Sequence, residues 1–309
     1  MSSEPMQIRE ELLRRFIESG ERERLQEILR GKLHASGWQD RVKDKCQKII
    51  RESDEDVSKI TVDDIAEEPA DNSSEPKAGE FEASRLGRKD HWDGVYDHEI
   101  SNFEETGDIG EVWFGEDSAV KMVDWVCENI GDTNARILDV GCGNGHLLLG
   151  LADEGYTNLT GTDYSSQAVE LATRIAKSRS LGDKITYRTQ DFLSPQEVAS
   201  VAGDAKFDVV LDKGTYDAIC LKPKDGRDAS DEEGAHLVDQ EAVGMYPQSV
   251  VNSLSDRGVF LITSCNWTEQ ELVARFKPHL EFVDRVKHRS FQFGGVVGQT
   301  VVTVAFKKR

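Results

Sequence analysis

The chain has 309 residues, a formal net charge of −20 and 38% hydrophobic residues. Its length predicts one large domain together with something smaller, because single cores rarely grow beyond about 250–300 residues. The strong acidity disfavours direct nucleic-acid binding and favours a basic protein partner.

Membrane insertion, secretion and metal binding are not expected. No apolar run approaches the ~20 residues that span a bilayer, and no apolar stretch follows Met1, so we expect no signal peptide. The five cysteines are scattered, odd in number and without a Cys-x-x-Cys pair. We therefore predict reduced thiols, no metal site and a cytoplasmic protein, with the nucleus as a second candidate location.

The first 65 residues show a helical pattern. Apolar side chains recur at three- and four-residue spacing over residues 8–17, which predicts a first helix. Further helices are predicted over residues 21–34 and 40–52, and residues 61–65 resemble the capped start of a fourth. None of these residues offers catalytic chemistry, so residues 1–65 are interpreted as a small helical interaction module. Residues 66–83, rich in Glu, Pro, Ser and Ala, are predicted to form an acidic disordered linker.

Three motifs of this module resemble a known family. They are residues 19–25 (Ser-Gly-Glu-Arg-Glu-Arg-Leu), 36–38 (Ser-Gly-Trp) and 60–65 (Ile-Thr-Val-Asp-Asp-Ile). Residues 6–68 are similar to the small helical transcription and mRNA-export factor of the enhancer-of-yellow type, with the family's long last helix replaced here by the linker. The resemblance implies that the module wraps around a helix of a partner protein.

A glycine-rich turn at residues 139–145 (Asp-Val-Gly-Cys-Gly-Asn-Gly) connects a short apolar segment to an apolar helix. Gly141, Gly143 and Gly145 let the backbone pass close to a ligand, because they lack Cβ atoms and adopt positive φ freely. The spacing differs from the dinucleotide fingerprint Gly-x-Gly-x-x-Gly, and the Lys-Ser/Thr ending of a phosphate loop is missing. Asp139 suits a ligand with cationic groups, which predicts S-adenosylmethionine as the cofactor.

Acidic residues after the following strands support this cofactor. Asp163 ends a second strand and is predicted to accept both ribose hydroxyls, with Tyr164 beside it in the cofactor site. A third strand over residues 185–188 is followed by Asp191 and Phe192, predicted to bind the adenine amino group and to pack on the base. Ligands of open α/β sheets bind outside the carboxyl ends of the strands, so these side chains are expected to converge.

Each acid also has a structural interpretation. Asp163 fits a helix cap, since Ser165 after it is predicted to cap a helix that runs to about residue 179. Asp191 fits a turn residue. Asp212, which ends a fourth strand over residues 207–211, fits a surface acid.

Four further motifs surround the cofactor turn, at residues 92–96 (Trp-Asp-Gly-Val-Tyr), 102–103 (Asn-Phe), 110–115 (Gly-Glu-Val-Trp-Phe-Gly) and 212–219 (Asp-Lys-Gly-Thr-Tyr-Asp-Ala-Ile). With them, residues 84–309 resemble the class I lysine methyltransferases of elongation factor 1-alpha. The resemblance implies an α/β, doubly wound, seven-stranded Rossmann-like domain whose last strand is antiparallel, and Trp92 in the cofactor site. Residues 258–264, 281–285 and 299–306 are predicted to supply the closing strands.

Methyl transfer from a sulfonium to an amine is an in-line displacement, so the enzyme must align three atoms and present the lysine amine uncharged. Tyr216 and Trp113 are predicted to wall the lysine slot, since aromatic faces tolerate an ammonium and exclude water. Asp212 is predicted to border the cofactor and to orient the amine or take up its proton through water. Simple packing of an N-terminal lid is the competing interpretation of Trp113 and Phe114, and Lys213 is interpreted as structural.

The sequence therefore predicts an S-adenosylmethionine-dependent protein-lysine N-methyltransferase, with elongation factor 1-alpha as the substrate that the resemblance implies. The strand end at Asp212 lacks the Asn/Asp-Pro-Pro-aromatic motif of enzymes that methylate nucleic-acid bases, and residues 225–233 lack the paired glutamates of arginine methyltransferases. Two alternatives stay open: a small-molecule methyltransferase, or a transcription or mRNA-export adaptor with an appended methyltransferase domain. A gene fusion or a faulty gene model is a third explanation for the two unlike parts.

Overall fold

The computed structural model of the protein describes residues 81, 83–224, 237–288, 290–293, 296–299 and 301–309. The chain divides into two compact units, Met1–Glu75 and Pro76–Arg309, and the description below concerns the second. The predicted helices of residues 1–65 and most of the predicted linker lie outside the described residues. Within the described ranges, no helix combines the length and the apolar character that crossing a membrane requires.

Seven strands form one sheet, and two more form a separate hairpin. The sheet contains β1 (Ile137–Val140), β2 (Leu159–Asp163), β3 (Ile185–Thr189), β4 (Phe207–Lys213), β5 (Leu254–Ser264), β6 (Leu280–Val286) and β9 (Val302–Lys308), and the hairpin contains β7 (Ser290–Phe293) and β8 (Val296–Gln299). The order in the sheet is β3-β2-β1-β4-β5-β9-β6. Strands β1 to β5 pair in parallel, and β9 runs antiparallel to both β5 and β6. The predicted doubly wound sheet with an antiparallel last strand is confirmed.

Eight helices connect the strands of the described part. They are α1 (Lys89–Thr106), α2 (Glu116–Asn129), α3 (His146–Asp153), α4 (Ser166–Ser178), α5 (Pro195–Ala202), α6 (Thr215–Ile219), α7 (Gln240–Ser253) and α8 (Glu269–Phe276). A 3-10 turn at Arg85–Gly87 precedes α1. The predicted cap of α4 is confirmed, because Ser165 Oγ accepts a hydrogen bond from the Ala168 N–H (3.4 Å).

The strands bury side chains on both faces because consecutive residues point to opposite sides of the sheet. Ile137 and Val209 pack with helices α1 to α4 in one apolar cluster. Leu138 and Val210 pack with helices α5 to α8 in the other. This three-layer arrangement leaves the carboxyl ends of the parallel strands free to form a site at one edge of the sheet.

The last residues of the predicted linker pack on the domain. The Phe81 ring meets the Trp267 ring edge-on at 4.9 Å, and Ala83 packs against the same apolar cluster. The Ser84 N–H donates to the Leu221 carbonyl (3.0 Å). The ordered domain therefore begins at or before Phe81, because this aromatic ring finds apolar surface to cover.

Candidate active site

The glycine-rich turn between β1 and α3 requires glycine for two reasons. Gly141, Gly143 and Gly145 have φ values of 63°, 54° and 77°, which other residues adopt only at a cost. A Cβ atom on Gly141 would lie 2.0 Å from Thr215 Oγ1, and one on Gly143 would lie 2.6 Å from the Tyr96 hydroxyl. Neighbouring side chains therefore approach this turn as closely as a backbone allows.

Asp163 at the end of β2 fastens the turn and faces the space above it. Its Oδ2 atom accepts from the Gly143 N–H (3.1 Å), and its Oδ1 atom accepts from the Ser165 N–H (2.9 Å). The side chain is 6% exposed, and burial raises the pKa of this carboxyl to about 6 although the two hydrogen bonds oppose the rise. Each oxygen keeps a lone pair for a further donor.

A cavity of about 350 Å³ lies above the strand ends. This volume falls within the range of sites for small organic ligands and cofactors. Residues predicted from the sequence to bind the cofactor line it: Trp92, Gly141, Gly143, Asp163, Tyr164, Asp191 and Phe192. The fold therefore brings together side chains that lie on a helix and three different strand ends.

The end of β3 contributes two of these residues. Asp191 is exposed, and its Oδ1 atom accepts from the Leu193 N–H (2.9 Å), so the carboxylate supports a turn as well as facing the cavity. The Phe192 side chain is buried, and its ring lies 5.4 Å from the Tyr246 ring. Both interpretations of Asp191, turn residue and ligand contact, are compatible with this geometry.

The loop of residues 107–115, here called the lid loop, covers the cavity between α1 and α2. Asn144 in the glycine-rich turn donates through Nδ2 to the carbonyls of Ile109 (3.0 Å) and Glu111 (3.2 Å). The Glu111 N–H donates to Glu99 Oε1 (3.1 Å). The lid loop is thus tied to the same turn that cradles the ligand.

A second tie joins the lid loop to the end of β4. Lys213 Nζ donates to the Trp113 carbonyl (3.0 Å), and burial lowers the pKa of this lysine. Phe114 adopts a positive φ of 66°, and its ring would lie 2.8 Å from a Cβ atom on Gly214. Trp113 and Phe114 both line the cavity, so they form its aromatic wall and its lid together.

Relatives of known name match this domain over most of their length. EEF1A lysine methyltransferase 2 of Danio rerio is 42% identical over 233 residues, which cover 75% of this chain and 91% of that protein. The Homo sapiens protein of that name is 37% identical, with 74% and 89% covered. Protein-lysine N-methyltransferase EFM4 of Saccharomyces cerevisiae is also 37% identical, with 74% and 97% covered. A family profile described as a methyltransferase domain matches residues 131–300.

The chain belongs to the EEF1A lysine methyltransferase 2 family. It is an S-adenosylmethionine-dependent protein-lysine N-methyltransferase, as the sequence predicted. A second profile, described as transcription factor e(y)2, matches residues 9–75 and confirms the resemblance of the N-terminal module. That match extends past residue 66, where the linker was predicted to begin.

Solved structures share the fold of this methyltransferase. The [4+2]-cyclase SpnF has a TM-score of 0.51 at 14% identity, with 74% of this chain and 98% of that chain covered. An S-adenosylmethionine-dependent methyltransferase from Anabaena variabilis has a TM-score of 0.50 at 16% identity, with 74% and 97% covered. A fold that also carries a cyclase does not identify a reaction, so the activity follows from the sequence relatives.

The cavity of this methyltransferase fits S-adenosylmethionine. The positive-φ glycines leave room for a ligand against the backbone, and the Asp163 carboxylate has lone pairs for the ribose hydroxyls. Phe192 and Trp92 supply apolar surface for an adenosyl group. When bound, this cofactor supplies an electrophilic methyl group.

Two predicted site residues are placed elsewhere than expected. Tyr216 does not wall the slot, because its side chain is fully buried in a stack with the rings of Tyr246 (4.8 Å) and Trp267 (5.7 Å). Asp212 is also fully buried, and its oxygens accept from the Thr215 N–H (2.7 Å), the Tyr216 N–H (2.9 Å) and the Tyr246 hydroxyl. Asp212 therefore organises the start of α6 rather than facing cofactor or substrate.

Asp139 and Gly145 also lie outside the cavity wall that the described residues form. Asp139 shares the sheet face of Ile137 and is 3% exposed, and burial raises the pKa of its carboxyl. The expected contact with cationic groups of the cofactor is therefore not seen. Gly145 begins α3, and a Cβ atom there would lie 2.3 Å from the Tyr187 hydroxyl, so its glycine admits a neighbouring ring.

Sequence reasoning missed three residues of the cavity wall. Asn144 lies inside the glycine-rich turn, Gln190 precedes the predicted adenine-binding acid, and Asp217 lies inside the motif at residues 212–219. Each was adjacent to a residue that was singled out. Only the direction in which each side chain leaves the backbone identifies it, and that direction depends on the fold.

Proposed function

We propose that this methyltransferase modifies a lysine side chain of translation elongation factor 1-alpha. Proteins named EEF1A lysine methyltransferase 2 from Danio rerio, Mus musculus and Homo sapiens support this substrate. The alignments cover 87–91% of those proteins, so the complete catalytic unit is shared rather than the cofactor half alone.

The observation that carries the choice of an amine acceptor is the Asp217 carboxylate. Asp217 lines the cavity on α6, beyond the Gly141 and Asp163 region, and is 5% exposed. Its oxygens accept from Ser264 Oγ (2.6 Å) and the Cys265 N–H (2.8 Å), and both donors are neutral. Buried carboxylates are normally paired with a cation, so a substrate ammonium is the partner that this site lacks.

Burial raises the pKa of Asp217, while its hydrogen bonds to Ser264 and Cys265 oppose the rise. An ammonium in contact with the carboxylate would lower that pKa again and hold Asp217 in its ionised form. A carboxylate with a raised pKa is also a better proton acceptor than an exposed one. Asp217 therefore takes the role that the sequence analysis assigned to Asp212.

The chain's own residues would perform the transfer as follows. Asp163 holds the ribose hydroxyls, and the aromatic wall of Trp113 and Phe114 excludes water from the acceptor end. Asp217 accepts a hydrogen bond from the lysine Nζ, and the amine proton leaves through its Oδ atoms to water. The lone pair of Nζ then forms the new N–C bond as the C–S bond breaks and its electron pair stays on sulfur. Alignment of this kind accounts for roughly 7–11 kcal/mol of barrier lowering in favourable cases.

Incubation of the purified chain with tritiated S-adenosylmethionine and purified elongation factor 1-alpha tests the proposal. We expect label on one protein band, a single modified lysine by mass spectrometry, and no label with Asp163→Ala. Asp217→Asn is expected to raise KM for the protein substrate and to lower kcat, with unchanged cofactor affinity. Asp256→Asn, at a side chain that is 98% exposed, is the matched control. Label in small molecules alone would favour the small-molecule alternative.

We also propose that residues 1–65 bind a helix of a partner protein, which the e(y)2 profile match at residues 9–75 supports. Deletion of residues 1–80 tests this: methylation in vitro is expected to persist while co-purification of the partner is lost. For location we propose the cytoplasm, with the nucleus as second compartment, to be checked by cell fractionation. A peptide spanning residues 66–80 in the native protein would rule out a faulty gene model.

A further inference from the structure

Gln190 is a buried amide that makes no side-chain hydrogen bond. It directly follows β3, lines the cavity and is only 3% exposed. Its Oε1 atom is buried and has no hydrogen-bond partner among the described residues. Buried polar groups are nearly always satisfied, and one that is left unpaired at a binding site calls for a ligand.

The backbone holds this amide in a fixed place relative to the ribose site. The Gln190 N–H donates to the Asp163 carbonyl (2.8 Å), which joins the ends of β3 and β2. The Asp163 carboxylate lies in the same cavity, and Phe192 follows two residues later with its ring in the cavity wall. A base attached to a ribose at Asp163 would therefore meet Phe192 and Gln190 next.

A glutamine amide presents one acceptor and one donor side by side. The edge of adenine presents the complementary pair, an amino group that donates and a ring nitrogen that accepts. Rotation about the last side-chain bond of Gln190 brings either amide atom to either position, so the buried Oε1 atom is available to a ligand.

We propose that the Gln190 amide recognises the adenine edge of the cofactor and provides its selectivity for the 6-amino group. The inference rests on the S-adenosylmethionine cofactor and is independent of the protein substrate. It moves this role from Asp191, where the sequence analysis placed it. The Asp191 carboxylate is exposed and accepts from the Leu193 N–H (2.9 Å), so water competes for its remaining lone pairs.

A binding comparison between two ligands tests the proposal. One ligand is S-adenosylhomocysteine, and the other is its analogue in which hydrogen replaces the 6-amino group. The full chain is expected to bind the first roughly 10-fold more tightly or better by calorimetry. Gln190→Met, which keeps the side-chain length, is expected to weaken S-adenosylhomocysteine and to leave the two ligands within about twofold of each other.

Stability provides a readout that separates binding from folding. Because the amide has no side-chain partner, Gln190→Met is expected to leave the unfolding temperature of the cofactor-free protein unchanged or slightly raised. Gln190→Leu is measured beside it, so that a packing failure of one side chain does not remove the test. Gln248→Met, at an exposed glutamine on α7, is the matched control and is expected to bind both ligands like the wild type.

The proposal is overturned if the Gln190 variants keep the wild-type preference, or if they weaken both ligands equally. Asp191→Asn is expected to keep the preference. If Asp191→Asn removes it and Gln190→Met does not, the adenine amino group belongs to Asp191. None of these outcomes depends on lysine methylation, so failure of the proposed substrate would leave the result readable.

Discussion

Asp163 and Asp212 are buried carboxylates at neighbouring strand ends that differ in what their oxygens face. The oxygens of Asp163 accept two backbone N–H groups and border the cavity. Those of Asp212 are enclosed by the start of α6 and the Tyr246 hydroxyl. The same residue type therefore serves ligand binding in one place and local folding in the other.

Cofactor affinity is expected to rise with pH through about 6. Burial raises the pKa of Asp163 from its ordinary 3.8 to about 6, so protonation is favoured in the folded protein and ionisation costs stability as pH rises through that interval. The ionised form is the stronger acceptor for ribose hydroxyls. Affinity by calorimetry should fall roughly tenfold from pH 7 to pH 5. Asp163→Asn should bind weakly and without this dependence, and a flat wild-type profile would contradict the assignment.

Asp212→Asn is expected to destabilise the fold. An amide cannot accept at both atoms from two backbone N–H groups and a hydroxyl, so one buried donor loses its partner. The free energy of unfolding should fall by about 1–3 kcal/mol, measured by chemical denaturation beside the exposed control Asp256→Asn. Cofactor affinity of the folded fraction should stay unchanged. Full stability with lost turnover would restore Asp212 to the catalytic site.

At the scale of elements, the glycine-rich turn combines an unusual backbone conformation with close packing. Gly141→Ala and Gly155→Ala both place a Cβ at positive φ (63° and 95°), but only the first meets a neighbour, Thr215, at 2.0 Å. The strain alone costs roughly 1 kcal/mol. We expect Gly141→Ala to cost about 1–3 kcal/mol more than Gly155→Ala in the free energy of unfolding. Equal losses would show that the turn can move away from Thr215.

The lid loop is an element held by single hydrogen bonds rather than by a large apolar core. Lys213→Met removes the donor to the Trp113 carbonyl. Hydrogen exchange at residues 109–114 should become faster while the strand amides keep their protection. Turnover should fall more than cofactor affinity. Lys307→Met, at a lysine that is 51% exposed, is the control, and unchanged exchange in the lid loop would refute the tie.

At the scale of the whole molecule, the methyltransferase domain includes residues that the sequence assigned to the linker. Phe81 packs on Trp267, and Leu86 and Gly87 line the cavity. A chain that begins at Phe81 is therefore expected to keep the melting temperature and cofactor affinity of the full domain. One that begins at Lys89 should melt several degrees lower, because about 1 kcal/mol corresponds to a few degrees for a domain of this size. Scanning calorimetry of both chains checks this, and equal melting temperatures would show that the segment is dispensable.

Local patterns made most of the fold predictable. The strand before Gly141, the cap at Ser165 and the apolar strands alternating with helices each carry a signal within about fifteen residues. The closing strands were shifted by a few residues: β5 begins at Leu254, and β9 runs over Val302–Lys308. Such ends depend on pairing across the sheet, as the irregular register between Phe207 and Val209 against β5 shows.

The sequence by itself determined the class of protein, the cofactor and the strand ends that form the site, because spacing and residue type act locally along the chain. Only the tertiary structure decided which of the acids at those ends face the cavity. Asp212 and Asp217 are five residues apart in one motif, yet the first points into the protein and the second into the cavity. That choice depends on packing against Tyr246 and Ser264. These residues lie far along the chain and meet the motif only when the sheet has formed.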